Sequence, residues 1–270
     1  MNYDVLGTIN QGGFGKVYRV RGDDGVIYAM KELKNPNTVN KQRFEREIGI
    51  LSQLRHPNIV QIIESNTEGN PPTYGPWYTM EFLSGGSLRD HMTEMFRTNL
   101  FSRKWALNTV ILPVCNALET AHNSGIFHRD LKPENIMYTG SNRTGVKVTD
   151  WGLGKDPNRQ SIALTQIAGI GGTPGYCAPE QWFSLDTIDG RADIYSLGVI
   201  LYEMMTGRRP SAYDNFMRRP PVAPPSSFHS TVSQQLNYCI LRMIELQPSS
   251  RYQSVWELTS TIRSLPDLYS

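Results

Sequence analysis

Residues 128–135 read His128-Arg129-Asp130-Leu131-Lys132-Pro133-Glu134-Asn135. A carboxylate (Asp130), an ammonium (Lys132) and a carboxamide (Asn135) share this one short polar loop. Pro133 has no N–H and a fixed φ, so the loop cannot run as a regular helix. Ile126–Phe127 before it and Ile136–Met137–Tyr138 after it are apolar and anchor both ends. Phosphoryl transfer needs these three chemical types in one place. The carboxylate orients a hydroxyl and takes its proton, the cation meets charge on the moving group, and the amide oxygen helps hold a metal ion.

Upstream, residues 3–33 alternate apolar and polar, with turns at Gly12–Gly15 and Gly22–Gly25, which predicts strands. The first turn is Asn10-Gln-Gly12-Gly-Phe-Gly15, followed by Lys16 and Val17. Glycines there let backbone N–H groups approach phosphate oxygens, although a hairpin turn without a ligand would look similar. Lys31 ends the apolar strand Tyr28–Lys31, and a buried ammonium needs a partner. Residues 38–54 place Phe44, Ile48 and Leu51 on one helical stripe, with Glu47 at its border. A carboxylate there also needs a partner, and Lys31 is the obvious one. His56 reads as a capping or packing residue, and His56–Val60 as the end of the helix and the start of another strand. Trp77–Leu83 reads as a strand, broken by Ser84-Gly-Gly-Ser87. That break divides the chain into lobes, 1–83 and 84–270.

Beyond it the pattern turns helical. Ser87 is the expected N-cap for residues 88–96, and Trp105–Ser124 is the next helix, with Pro113 as a kink or irregular start. Strands at Ile136–Tyr138 and Val146–Thr149 lead into Asp150-Trp151-Gly152, where an aspartate before a permissive turn suits a metal ligand. Residues 153–172 are polar and glycine-rich and carry Ser161 and Thr165. Gly172-Thr-Pro-Gly-Tyr176-Cys177-Ala178-Pro179-Glu180 closes that segment. Asp193 opens an apolar helix, residues 207–230 form a proline- and arginine-rich loop, and helices are expected at 232–246 and 254–264.

These motifs, spread over about residues 5–265, resemble the catalytic domain of eukaryotic-type (Hanks-type) serine/threonine protein kinases. Lys132 points to the serine/threonine branch. The resemblance implies an α+β bilobal fold, with a small, mainly antiparallel β lobe carrying one helix and a larger helical lobe. It implies ATP and Mg2+ (or Mn2+) as cofactors and a protein substrate with a Ser or Thr acceptor. Asp130, Lys132 and Asn135 become catalytic, and Asn135 and Asp150 metal ligands. Ile9, Gly12, Gly15, Val17, Ala29, Lys31, Glu47, Met80, Glu81, Leu83 and Met137 become the nucleotide site. Within it, Lys31 contacts the α- and β-phosphates, Met80 guards the pocket, and the backbone of Glu81–Leu83 meets adenine. Asp193 holds the catalytic loop, Arg251 pairs with Glu180, and Glu134 occupies a position that reads basic substrate residues in some relatives. A phosphate on Thr165, or second on Ser161, would pair with Arg129. Two positions depart from the family. Asn10 stands for a glycine and is read as tolerating a left-handed backbone. Trp151 stands for Phe; it is expected behind the Glu47 helix near Leu51, Ile62 and His128, biasing whether Asp150 faces the site.

With 27 basic and 25 acidic residues, the net charge of +2 argues against a dedicated nucleic-acid or membrane-surface protein. No apolar run is long enough to span a bilayer and no signal-peptide pattern opens the chain. Cys115, Cys177 and Cys239 are widely spaced and odd in number, which suits a reducing, cytoplasmic setting without disulfides or zinc; Cys177 reads as filler. Two other readings stay open: a pseudokinase that binds nucleotide or scaffolds, for which Asn10 and Trp151 are the only hints, and a small-molecule kinase of related fold. The peptide-positioning motif at 172–180 weighs against the latter.

Overall fold

The computed structural model describes residues 1–11, 15–68, 75–98, 102–151, 175–182, 188–210 and 221–269. The alternating pattern of residues 3–33 folds as β1 (Tyr3–Gln11), β2 (Gly15–Gly22) and β3 (Ile27–Leu33). With β4 (Ile62–Asn66) and β5 (Trp77–Glu81) they make an antiparallel sheet in the order β1-β2-β3-β5-β4. Val17 lies opposite Lys31, Lys31 opposite Tyr78, and Ala29 opposite Met80. Opposed residues share a face, and so do alternate residues along a strand. Val17, Ala29, Lys31, Tyr78 and Met80 therefore line one face. Met30 and Trp77, from the intervening positions, join Tyr3 and Val20 in a small core on the other.

Helix α1 (Thr38–Gln53) packs on the Lys31 face. Asn37 caps it by accepting the Asn40 N–H, and its buried stripe is Phe44, Glu47, Ile50 and Leu51. The strand expected to begin within His56–Val60 begins at Ile62 instead; Ile59 makes a lone parallel bridge to Val148. His56 closes the turn, its Nδ1 accepting the Asn58 N–H at 3.1 Å. Asn10 also differs from expectation. It lies inside β1 opposite Val17 and is not among the non-glycine residues with positive φ, so it needs no left-handed tolerance.

The rest is mainly helical. Ser87 caps α2 (Leu88–Thr98): Asp90 N–H donates to Ser87 Oγ at 3.2 Å and Ser87 N–H to Asp90 Oδ2 at 3.0 Å. Arg103–Trp105 (α3) runs into a π-helical segment, Ala106–Ile111, and then α4 (Leu112–Asn123). Pro113 is the physical reason for the irregular start. It cannot donate back along the helix, and just ahead of it Leu112 N–H reaches Leu107 O, five residues back. Strands β6 (Ile136–Tyr138) and β7 (Val146–Val148) pair as a hairpin. Helix α5 (Arg191–Thr206) is buried from Ala192 to Thr206 and forms the axis of the large core. Helix α6 (Gln234–Met243) packs on it, and α7 (Val255–Arg263) packs on α4 and α6. Gly198 permits that packing, since a Cβ there would lie 2.6 Å from Met243 Cβ. This is the bilobal α+β architecture that the motifs imply.

Candidate active site

Strand β3 and helix α1 each bring one charged side chain to the same place. Lys31 Nζ lies 2.6 Å from Glu47 Oε1 and 2.7 Å from Asp150 Oδ1. Tyr78, across the sheet from Lys31, donates its hydroxyl to Glu47 Oε1 at 2.8 Å. Burial opposes the Lys31 charge, but Asp150 and Glu47 outweigh it and hold the ammonium well above its ordinary range. Lys31 in turn holds the Asp150 carboxyl below the usual carboxylate range, with Lys132 adding to the effect. The Asp150 side chain is half exposed, and its backbone sits at φ +64°.

The second group belongs to the 128–135 loop. Lys132 Nζ is 2.9 Å from Asp130 Oδ2. Burial works against the Lys132 charge, and Asp130 more than restores it, raising the ammonium above its ordinary value. Asn135 Nδ2 donates to Asp130 O at 2.9 Å, which leaves its Oδ1 as an acceptor. Thr149 N–H donates to Asn135 O at 2.9 Å, tying the loop to the residue next to Asp150. His128 accepts the Asp130 N–H on Nδ1 at 3.3 Å, so Nε2 carries the proton and donates to Thr149 O at 2.8 Å.

Asp193 fixes the loop from below, as the resemblance implies. Its fully buried carboxylate accepts N–H bonds from His128 at 2.8 Å and Arg129 at 2.7 Å, and the imidazole of His122 contacts it at 2.8 Å. Burial raises this carboxyl, but the hydrogen bonds and charges of its partners win and its pKa falls below the ordinary value. Gln181 connects the loop to the end of the 172–180 motif, donating to Arg129 O at 2.8 Å and accepting the Ala178 N–H at 3.0 Å. Arg251 grips Glu180 with two bonds, 2.7 and 2.8 Å.

The remaining sequence candidates divide. Val17, Ala29 and Met80 share the Lys31 face of the sheet. Gly15 opens β2, where a Cβ would meet Glu32 O at 2.7 Å. Ile9 sits at a β1 irregularity and is exposed. Met137 bridges Ser87 where the helical part begins, and Leu83 packs against the large core. The Glu81 carboxylate is engaged elsewhere, accepting the Gln61 N–H at 2.8 Å and pairing with Lys147 at 2.8 Å. Trp151 is fully buried against His128, in the core that holds Leu51 and Ile62. Gly12, Ser161, Thr165 and residues 172–174 lie outside the described residues.

Sequence reasoning missed Tyr78, His122, Gln181 and a cluster around Arg89. Arg89 lies 3.0 Å from Glu134 and 3.0 Å from Glu203 and also donates to the Tyr176 hydroxyl, which donates to Glu203. Glu134 thus holds an arginine of its own chain. Nothing marks Arg89 in the sequence; an exposed-looking arginine in an amphipathic helix is the commonest reading.

The protein kinase domain model matches residues 3–260. A probable serine/threonine-protein kinase PknB of Corynebacterium glutamicum is 33% identical over 281 aligned positions, covering 97% of this chain and 42% of that protein. The serine/threonine-protein kinase PknB of Mycobacterium tuberculosis is 36% identical over 228 positions, 82% of this chain and 35% of the relative. The chain thus spans about two fifths of the length of the curated relatives it matches. Among solved structures, the Mycobacterium tuberculosis PknI kinase domain superposes with a TM-score of 0.71 at 24% identity, covering 97% of this chain and 95% of that one. Family model, relatives and fold agree, and the chain belongs to the protein kinase domain family.

Proposed function

We propose that this chain is a catalytically active serine/threonine kinase domain. It transfers the γ-phosphoryl group of ATP to Ser or Thr hydroxyls of protein substrates and to its own. The observation that carries this reading is the bridge from Glu47 through Lys31 to Asp150, beside the Asp130–Lys132–Asn135 loop. That arrangement supports the role given to each charged group below.

Asp130 orients the acceptor hydroxyl and takes its proton, and Lys132 faces the charge of the transferred group. Lys31, fixed by Glu47, binds the α- and β-phosphates. The nucleotide base fits against Val17, Ala29, Met80 and Met137, with the Glu81–Leu83 backbone as its hydrogen-bond edge. A magnesium ion fits the donor set: Asp150 and the Oδ1 of Asn135 supply hard oxygens, and such sites take one or two protein ligands with phosphates and water completing them. When bound, it would neutralise phosphate charge. Asn135 and Asp150 are the residues that would hold it. Positioning and charge suffice, and no covalent enzyme intermediate is needed. The buried free thiols of Cys115 and Cys239 support a reducing, cytoplasmic setting. Arg129 is the residue that would meet a phosphate on Thr165 or Ser161; peptide mapping after incubation with Mg-ATP tests this, and no phosphate on either residue rejects it.

Labelling with [γ-32P]ATP tests the activity, wild type beside Asp130→Asn. The wild type should incorporate label only with a divalent metal. The variant should fall by about 10²–10⁴-fold, the usual contribution of a general base, and still bind nucleotide. Equal labelling of both, or binding without turnover in the wild type, would replace this reading with the pseudokinase one.

A further inference from the structure

We propose that Tyr78 is a positioning residue for the nucleotide site: its hydroxyl, and not its ring, keeps helix α1 docked so that Glu47 stays on Lys31. The inference rests on the proposed function, because Lys31 matters as a phosphate-binding group only if that reading holds.

Two donors from the sheet converge on one carboxylate oxygen of α1. Glu47 Oε1 accepts from Lys31 Nζ at 2.6 Å and from the Tyr78 hydroxyl at 2.8 Å. The donors stand on neighbouring strands, Lys31 of β3 opposite Tyr78 of β5. They are not equivalent. Lys31 also donates to Asp150 at 2.7 Å and, on the proposed function, shares its N–H groups with phosphates as well. Tyr78 has a single O–H and, among the described residues, a single hydrogen-bond partner, Glu47. Its side chain is fully buried, with the ring packed on Phe44 of α1, centroids 5.3 Å apart. Burial first, and Glu47 second, push the phenol well above its ordinary pKa, so the hydroxyl keeps its proton to donate.

This asymmetry decides what happens when α1 leaves the sheet. With Glu47 withdrawn, Lys31 retains Asp150. The Tyr78 hydroxyl retains no described partner, and a buried donor without an acceptor is costly. A phenylalanine at 78 would keep the contact with Phe44 and carry no such penalty. The hydroxyl thus ties the helix to the sheet through a bond that nucleotide binding does not share out.

The test has two readouts: amide hydrogen exchange of α1 without nucleotide, and the affinity for ADP with magnesium by calorimetry. The chains are the wild type, Tyr78→Phe, a chain with 4-aminophenylalanine at 78, Glu47→Ala, and Glu47→Ala combined with Tyr78→Phe. In Tyr78→Phe the amides of α1 should exchange about tenfold faster, the worth of a hydrogen bond to a charged group, with α5 unchanged. ADP should bind about three- to tenfold more weakly. The amino group of 4-aminophenylalanine can donate where the hydroxyl did, and it should bring both readouts back toward the wild type. On the Glu47→Ala background Tyr78→Phe should add nothing. Equal α1 exchange in the wild type and Tyr78→Phe would overturn the proposal. So would faster exchange with unchanged ADP affinity, since Glu47 would then not position Lys31. A 4-aminophenylalanine chain that behaves as Tyr78→Phe would overturn it too. An effect of Tyr78→Phe that is as large without the Glu47 carboxylate would make ring packing the cause and overturn it as well. If Tyr78→Phe shows no cooperative melting, 4-fluorophenylalanine, which fills more of the hydroxyl's space and cannot donate, takes its place. Neither readout needs phosphoryl transfer, so failure of the labelling experiment and failure of this one are distinct results.

Discussion

Lys31 is largely buried and Glu47 is 5% exposed, so each charge depends on the other. Among the described residues, replacing Lys31 by Met leaves the Glu47 carboxylate with the Tyr78 hydroxyl, at 2.8 Å, as its remaining hydrogen-bond partner, and Asp150 without its cation. Lys31→Met should cost about 1–3 kcal/mol of stability, the penalty of an unmet buried polar group, and abolish tight nucleotide binding. Adding Glu47→Gln should restore much of the stability and none of the binding. Thermal melting of both singles and the double, completed as a cycle, checks this; strictly additive losses would mean that the pair is not coupled. The pair was legible in the sequence because each charge bordered an apolar stripe. Tyr78 was not, since a tyrosine in a strand reads as one more apolar residue. Only the cross-strand register, Lys31 opposite Tyr78, puts its hydroxyl on Glu47.

Elements hold the site through a few fixed contacts, and the N-terminus of α5 is one of them. Asp193 accepts both loop N–H groups there with a carboxyl whose folded pKa lies below the ordinary 3.8. A depressed acid adds stability at every pH above about 3.8 and loses that contribution as pH falls through its lower folded value. Asp193→Asn should therefore be markedly less stable than the wild type at pH 7, and the gap should narrow as pH drops below 3.8. Denaturant titrations of both chains across pH 2–7 read it; a gap constant with pH would show that ionisation of Asp193 contributes nothing. Packing of α5 on α6 sets a second limit. At Gly198 a Cβ would sit 2.6 Å from Met243 Cβ and 2.8 Å from Ile244 Cγ2. Gly198→Ala should cost about 1–3 kcal/mol despite alanine's better helix propensity, because overpacking of a filled core outweighs it. A melting temperature at or above the wild type would contradict that. Helix α5 was plain in the sequence as an unbroken apolar run. The π segment was not, since proline announces a disturbance without fixing which form it takes.

At the scale of the whole molecule, chain separation is what hid the site from residue-level reading. Lys31 and Asp150 are 119 positions apart, and no periodicity connects them; the family resemblance brought them together. Glu180 and Arg251, 71 positions apart, pose the same problem and carry the last prediction. Arg251 is fully buried, and its guanidinium is met on every side: Glu180 takes two bonds, and the carbonyls of Glu245, Arg191 and Leu246 take the others at 2.8–3.0 Å. It therefore joins the end of the 172–180 motif to the start of α5 and to the chain beyond α6. Arg251→Leu fills similar space and removes every one of these bonds, leaving a mostly buried carboxylate without its cation. Breaking such a pair costs about 3–5 kcal/mol, which lowers the melting temperature by roughly 10 °C in a chain of this size. Glu180→Gln should lose less, because an amide still accepts from the guanidinium. Calorimetric melting of the two variants decides the matter. If Arg251→Leu melted with the wild type, this buried arginine would be a bystander rather than the bond that closes the large lobe.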